Sequence, residues 1–250
     1  MSTPPVFLVR ELPTGGEAVL DGQEGRHAAT VRRLRAGEKL LLTDGRGGAA
    51  RCEVTGADRH LLRLRVLHRQ LCPRPVPRIV LAQALIKGDR GELAVELATE
   101  AGVDAVLPWR AQRCVARWED GPRAAKALAR WRDTAAAAAK QARRVWLPDV
   151  GEPVDTARLA EIVGGAVAGG GAALVLHESA DSPITSAGIP TAGDLVLVVG
   201  PEGGITDDEL ATLVGSGATA VRLGPTVLRA STAAAVAMGA LGVLTDRWSR

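Results

Sequence analysis

Three short stretches in the C-terminal part of this 250-residue chain carry residue types from which a small-molecule site can be built. They are Leu176-His177-Glu178, Gly200-Pro201-Glu202-Gly203-Gly204, and Leu223-Gly224-Pro225-Thr226-Val227-Leu228-Arg229. Each ends an apolar run (AALVL, LVLVV, ATAV) that reads as a strand. In an open α/β sheet, ligands gather beyond the carboxyl ends of strands. Three glycine- or proline-shaped loops at such ends therefore predict one pocket. Its ligand is not a nucleotide triphosphate on a phosphate loop: neither GxxxxGK[ST] nor GxGxxG occurs,. Glu202 would also repel an anionic phosphate, whereas it can cap a helix or face a cation. A ligand with hydrogen-bond donors and a positive centre suits the loops better. Glycines at 200, 203 and 204 are expected to let bare main chain approach it, with positive φ where needed. Pro201 stiffens the turn.

The elements that must hold these loops follow from the hydrophobic pattern. "RIVLAQALI", "AVLPW", "AALVLHE" and "LVLVVG" are continuous apolar runs, hence buried strands,. Between them lie helical stretches. "DRGELAVELATEAGV" has Asp89 as cap, Glu92 three residues on, and Leu93 and Leu97 on one face,. "PRAAKALARWRDTAAAAAKQARR" puts Leu128, Trp131, Ala135 and Ala138 on one stripe,. "TDDELATLVGSG" carries Thr206 and Glu209 in capping-box spacing, and "STAAAVAMGALGVLTDRW" closes the chain as a helix capped by Ser231,. Alternating strands and helices mean an α/β fold with a parallel sheet covered on both faces.

Residues 1–74 read differently. "EKLLLTDGRGGAARCEVTGADRHLLRLRVL" is a set of short strands, with Asp44-Gly45 and Gly47-Gly48 as hairpin signals,. Leu62-Arg63-Leu64-Arg65-Val66 alternates an apolar with a basic face, and "EGRHAATVRRLRAGE" is a short helix stopped by Gly37. The proline-rich "CPRPVPR" separates this small β domain, 1–74, from the α/β domain, 75–250,.

Charge is segregated. Residues 26–74 hold 12 basic and 4 acidic residues, and residues 110–144 hold 10 and 3. Clustered arginine suits a polyanion, because neutralising phosphates releases counterions. Stacking on rows of aromatics is excluded, since the chain has five Trp, one Phe and no Tyr,. The three cysteines (Cys52, Cys72, Cys114) and four histidines are scattered, which argues against a disulfide framework and against a metal site,. No run of 18 apolar residues occurs and the N-terminus lacks a signal-peptide core, so no membrane segment is expected and a reducing cytoplasm is the expected location,.

The motifs also carry a resemblance. "VVGPEGGITDDEL" followed by "VRLGPTVLRASTAAAVAMGAL" resembles the SPOUT class of methyltransferases. More closely, the chain resembles the ribosomal RNA small subunit methyltransferase E family, whose members methylate uridine N3 in 16S rRNA. "HAATVRRLRAGEKLLLTDGRG" is similar to that family's N-terminal PUA-like motif, "QALIKGDRGELAVELATEAGVDAVLPWRAQRCV" to the start of its catalytic domain, and "AAKQARRVWLPDV" to its Gln-x-x-Arg segment. The likeness runs over nearly the whole chain. Two positions depart from it: Ser231 stands where an acid is common, and Thr226 where an Arg is usual.

The resemblance implies a small PUA-like β-barrel domain ahead of a SPOUT-type knotted sheet with a C-terminal trefoil knot, a homodimer, and S-adenosylmethionine as methyl donor. The donor would rest on Leu176, His177 and Glu178; on Val199, Gly200, Pro201, Glu202, Gly203 and Gly204; and on Leu223, Gly224, Val227, Leu228 and Thr232. Uracil N3 must lose its proton to become a nucleophile, which leaves charge on the base oxygens. Arg229 is the candidate catalytic residue that stabilises this charge, and Glu202, Glu178 and His177 are candidates to take the proton. RNA contacts are expected from Arg26, Arg32, Arg33, Arg35 and Arg46 in the first domain. In the second they are expected from Lys87, Arg90, Arg113, Arg143 and Arg144. Two other readings stay open: a SPOUT enzyme acting on tRNA, and a non-catalytic RNA-binding assembly factor.

Overall fold

The computed structural model describes residues 4–119 and 121–249. It divides into two compact units, the first comprising residues up to Arg74 together with Ala139–Leu147, the second Pro75–Ala138 and Pro148–Arg250. The proline-rich stretch coincides with the first crossing. The excursion of 139–147 into the first unit leaves no composition signal, and it moves Arg143 and Arg144 out of the α/β unit where the sequence reading put them.

The first unit contains β1 (Val6–Leu8), β2 (Glu17–Leu20), α1 (Gly22–Arg26), β3 (Lys39–Thr43), β4 (Gly48–Ala57) and β5 (Leu62–Leu71). The strands form one sheet in the order β1-β3-β4-β5-β2. All neighbours are antiparallel except the β1–β3 pair. Its core is Phe7, Leu40, Leu42, Leu62 and Leu64, while Arg63 and Arg65 alternate outward as the pattern required. After α1 the chain makes a π-helical turn, His27–Val31, and turns at Arg33 with φ 52°, so the helix ends before Gly37. Residues 139–147 are fastened to this unit. Trp146 Nε1–H donates to the carbonyls of Cys72 and Pro73, Lys140 pairs with Glu24 at 2.7 Å, and the Arg74 guanidinium lies over the Trp146 ring.

The second unit contains β6 (Arg78–Ala84), α2 (Arg90–Glu100), β7 (Ala105–Trp109), α3 (Pro122–Gln141, whose last residues belong to the first unit), β8 (Asp149–Val150), α4 (Thr156–Ala168), β9 (Ala172–Leu176), β10 (Asp194–Val199), α5 (Asp207–Gly215), β11 (Thr219–Val221) and α6 (Ala230–Leu244). Its sheet is parallel throughout, in the order β11-β9-β10-β6-β7-β8. β10 lies at the centre, and Leu195 to Val199 are at most 2% exposed, so both faces are covered,. The pair α4 and α5 packs on one another and α4 on β9 and β10; α2 packs on α6, and α6 on β6 and β10. The chain thus leaves β11 at one edge and returns in α6 to the sheet's centre.

Three helix starts differ from expectation. Asp89 occupies the cap position of α2 but its side chain caps nothing, and Leu93 points outward while Ala94, Val95 and Ala98 are buried. α6 begins at Ala230 with Arg229 as its cap residue, so Ser231 lies inside the first turn and is buried. α4 went unread: Asp155 caps it by accepting the Arg158 N–H, but Gly164, Gly165 and the glycines at 169–171 dilute its periodicity. α3 buries Leu128, Trp131, Ala135 and Ala138, and α5 has its capping box, both as the spacing required.

Candidate methyl-donor site

The loops after β9, β10 and β11 converge on one cavity of about 670 Å³ at the carboxyl end of the parallel sheet. The first contributes Leu176, His177 and Glu178, the second the whole run Val199 to Gly204, and the third Leu223, Gly224, Val227, Leu228 and Arg229. Thr226 and Ser231, the two departures from the family pattern, also line it. Thr232 does not. One residue further into α6, its hydroxyl donates back to the Arg229 carbonyl at 3.2 Å. The helix turns its position away from the cavity, and the placement of Thr232 in the pocket is corrected accordingly.

The glycines of the central loop have local reasons to be glycine. A Cβ on Gly200 would lie 2.6 Å from Ile205 Cγ1, and one on Gly203 would lie 3.0 Å from Arg113 Cβ and 3.1 Å from its carbonyl oxygen. Gly204 has φ +76°, which L side chains rarely adopt,. At 200 and 203 it is the loop's own close packing, rather than a demand for space from a ligand, that excludes a side chain.

Four side chains brace the loops. The Arg113 Nη1–H donates to the Gly203 carbonyl at 3.2 Å. Glu202 accepts the Lys87 N–H at 3.2 Å, so it ties down the segment after β6 and not only its own turn. Glu209 is buried and accepts from the Gln112 N–H at 2.8 Å, the Thr156 hydroxyl at 2.9 Å and the Thr206 N–H at 3.2 Å. Its side chain thereby joins α5, α4 and the residues just before Arg113. The capping box signalled Glu209 as a helix start, but nothing in the sequence showed its two tertiary partners. Arg222 donates to the carbonyls of Ala180 (2.8 Å) and Asp181 (2.5 Å), fixing the loop after β9.

Charges around the cavity are mixed. Arg90, Arg113, Arg222 and Arg229 share its lining with Glu178, Glu202 and Asp207. Arg113 and Arg222 are committed to carbonyls. Arg229 is exposed and, among the described residues, its guanidinium has no hydrogen bond or ion pair, so it does not spend itself on a helix-start acid. His177 Nδ1 accepts the Ser179 N–H at 3.3 Å, which puts the proton of the neutral ring on Nε2 and makes that nitrogen a donor,. Glu178 is exposed and has no partner among the described residues.

The Cys114 thiol lies behind this region. Burial pushes it up to about 11, and the carboxylates of Glu209 and Glu202 add to the shift. It is therefore a thiol, not a thiolate, at neutral pH.

The arginines expected to meet RNA are spread over both units. Arg26, Arg32, Arg33, Arg35 and Arg46 are exposed on the first unit, where Arg143 is also exposed and Arg144 half-buried. In the second unit, Arg90 and Arg113 prove to be cavity residues, and Lys87 lies just outside. Among the described residues no group of three or more His, Cys, Asp or Glu could hold a metal ion, and no helix is long and apolar enough to cross a membrane.

Residues 72–242 match a family model described as an RNA methyltransferase domain, and residues 20–67 match an RNA methyltransferase PUA domain. The ribosomal RNA small subunit methyltransferase E of Mycobacterium bovis is 57% identical over 244 residues, covering 97% of this chain and 93% of the relative. The protein of that name from Bacillus subtilis is 29% identical over 247 residues, covering 95% and 93%. The crystal structure of a ribosomal RNA small subunit methyltransferase E from Neisseria gonorrhoeae bound to S-adenosyl methionine superposes with a TM-score of 0.85 at 28% identity, covering 97% of this chain and 98% of that one. With more than half its length under the RNA methyltransferase model and a relative of this identity over nearly all of it, the chain belongs to the ribosomal RNA small subunit methyltransferase E family.

Proposed function

We propose that this protein methylates N3 of a uridine in 16S rRNA of the small ribosomal subunit, with S-adenosylmethionine as donor. The observation that carries the reading is the convergence of three strand-end loops on one cavity with an uncommitted arginine at its edge. The cavity's chemistry fits the donor. Main-chain groups of the loops offer hydrogen-bond partners to an adenosine, and Glu178, Glu202 and Asp207 supply negative charge for a ligand with a sulfonium and an ammonium. When bound, the donor supplies an electrophilic methyl group whose leaving sulfur departs neutral and needs no acid.

The chain's residues then have three tasks. The braced loops hold donor and acceptor in fixed relation, and alignment of this kind lowers a barrier by roughly 7–11 kcal/mol in favourable models. Arg229 offers its guanidinium to the charge that N3 deprotonation leaves on the uracil oxygens. Glu178, uncommitted where Glu202 and His177 are engaged, is the group we assign to accept the N3 proton. Arginines of the first unit hold the RNA backbone.

The reading includes a homodimer and the family's knot. The outward stripe of α6, with Val236 at 47% and Val243 at 78% exposure, is apolar in the way a buried interface requires,. The knot is part of the reading through family membership, and the return of α6 from the edge to the centre of the sheet agrees with it. With a ribosomal substrate, the protein would work in the cytoplasm. The test is transfer of labelled methyl to small subunits from a strain lacking this protein, with free tRNA in parallel. Labelling of 16S rRNA at uridine N3 is expected; strict preference for tRNA would overturn the substrate assignment.

A further inference from the structure

Beside the donor cavity lies a second, larger depression of about 1250 Å³, and Ile86 belongs to the walls of both. It runs between residues 86–89, which follow β6, and residues 116–119 and 121–130, which lead into and form the first half of α3. Lys87, Arg117 and Arg123 line it and are exposed. Arg130 lines it too, but is paired with Glu92 at 2.9 Å. Asp89 and Glu119 oppose these charges. Trp118 is half-buried, set edge-on against Trp131 with centroids 5.0 Å apart and an interplanar angle of 72°. Of the five Trp and one Phe, Trp118 alone lines either cavity.

Resting on the methyltransferase reading above, we propose that this groove seats the single-stranded RNA that flanks the acceptor uridine, with Trp118 as a stacking face and Lys87, Arg117 and Arg123 on the phosphates. Continuity with the donor cavity is the first argument. An acceptor base presented there brings its neighbours along the strand, and the groove is the depression next to the cavity, with Ile86 in the walls of both. Chemistry is the second. Sequence-reading of unpaired RNA relies on aromatic faces for bases and on cationic side chains for the backbone. The groove supplies both, in a protein otherwise poor in aromatics. A ring wedged against Trp131 is already oriented, so stacking on it costs little side-chain entropy. Asp89 and Glu119 then act as counterweights that limit binding of any anion lacking the right register.

The experiment uses the full-length protein, small subunits from a strain lacking it, and a fluorescent single-stranded RNA. Arg117→Gln/Arg123→Gln is expected to raise KM for subunits about tenfold, leaving kcat within twofold and the affinity for S-adenosylmethionine unchanged. The slope of log Kd for RNA against log salt should fall by about 1.4, for two phosphate contacts to a single strand. Trp118→Leu is expected to weaken RNA binding about tenfold, within the range for one stacked base. Glu119→Gln should tighten it, a sign that a merely structural role would not produce. If Trp118→Leu fails to fold, the arginine pair and Glu119→Gln still decide. Unchanged KM and salt slope in the arginine pair, with the wild type active, would overturn the groove assignment and favour a protein partner there. A wild type that binds RNA with the expected salt dependence yet transfers no methyl would overturn the methyltransferase reading and leave the groove standing.

Discussion

Arg229 and Glu209 show how differently two charged side chains can serve one cavity. Arg229 is exposed and unengaged, so its replacement costs the fold little; Arg229→Ala should bind S-adenosylmethionine as the wild type does while turnover falls by about 10²–10³-fold, the size found when one donor to a developing anion is lost,. Calorimetry and a single-turnover assay on the same sample separate the two quantities. Glu209 is buried among three donors from three segments, and Glu209→Gln leaves at least one of them facing an amide N–H₂. Since Gln112 precedes Arg113, which holds the Gly203 carbonyl, the loss should reach the donor loop. A stability loss of about 1–3 kcal/mol together with weaker donor binding is expected, read by denaturant titration and calorimetry. The thiols make a third case. Burial pushes both Cys52 and Cys114 up to about 11, so at neutral pH iodoacetamide should modify the half-buried Cys72 first and reach the other two only after unfolding,. Mass spectrometry of the labelled protein checks this.

At the scale of elements, the C-terminal turn acts as a latch on α6. The Arg247 guanidinium is buried against Asp104 at 2.9 Å and donates to the carbonyls of Pro77 (2.6 Å) and Gly102 (2.5 Å), at the end of the sheet opposite the loops. Gly242 leaves room for the Trp248 ring to lie on the helix; a Cβ there would clash with it. Arg247→Ala removes the cation beside a buried carboxylate, which keeps the Ile79 N–H as a donor at 2.8 Å, and should cost about 3 kcal/mol in thermal or denaturant unfolding, without moving the loops that line the cavity. What was legible in the sequence divides along the same line. β6, β7, β9 and β10 were readable because strands buried on both faces are continuously apolar, and α3 and α5 because their stripe and cap are local. α4 was hidden by its glycines. The docking of 139–147 on the first unit was hidden because Trp146 and Lys140 find partners about 70 to 116 residues away, which no local pattern encodes. In the site, loop identity was visible as glycine and proline punctuation, but what each residue does there was not. α6 is capped two residues sooner than its serine suggested, which puts Thr232 within the first turn, and Arg222 and Glu209 as braces depend on tertiary hydrogen bonds.

The whole molecule comprises a basic β unit and an α/β unit whose loops form a cup at the carboxyl end of a parallel sheet. The apolar stripe of α6 predicts self-association. Val243→Glu should shift the protein toward monomer in light scattering at micromolar concentration, whereas an unchanged mass would remove α6 from the interface. Everything else depends on the cup holding the methyl donor. The most direct test is a calorimetric titration of the folded wild-type protein with S-adenosylmethionine, with Gly203→Val as control, since that side chain would press on Arg113 and deform the loop. Saturable binding by the wild type, weakened at least tenfold in Gly203→Val, is predicted; no binding by the folded wild type, or equal binding by both, would contradict the account.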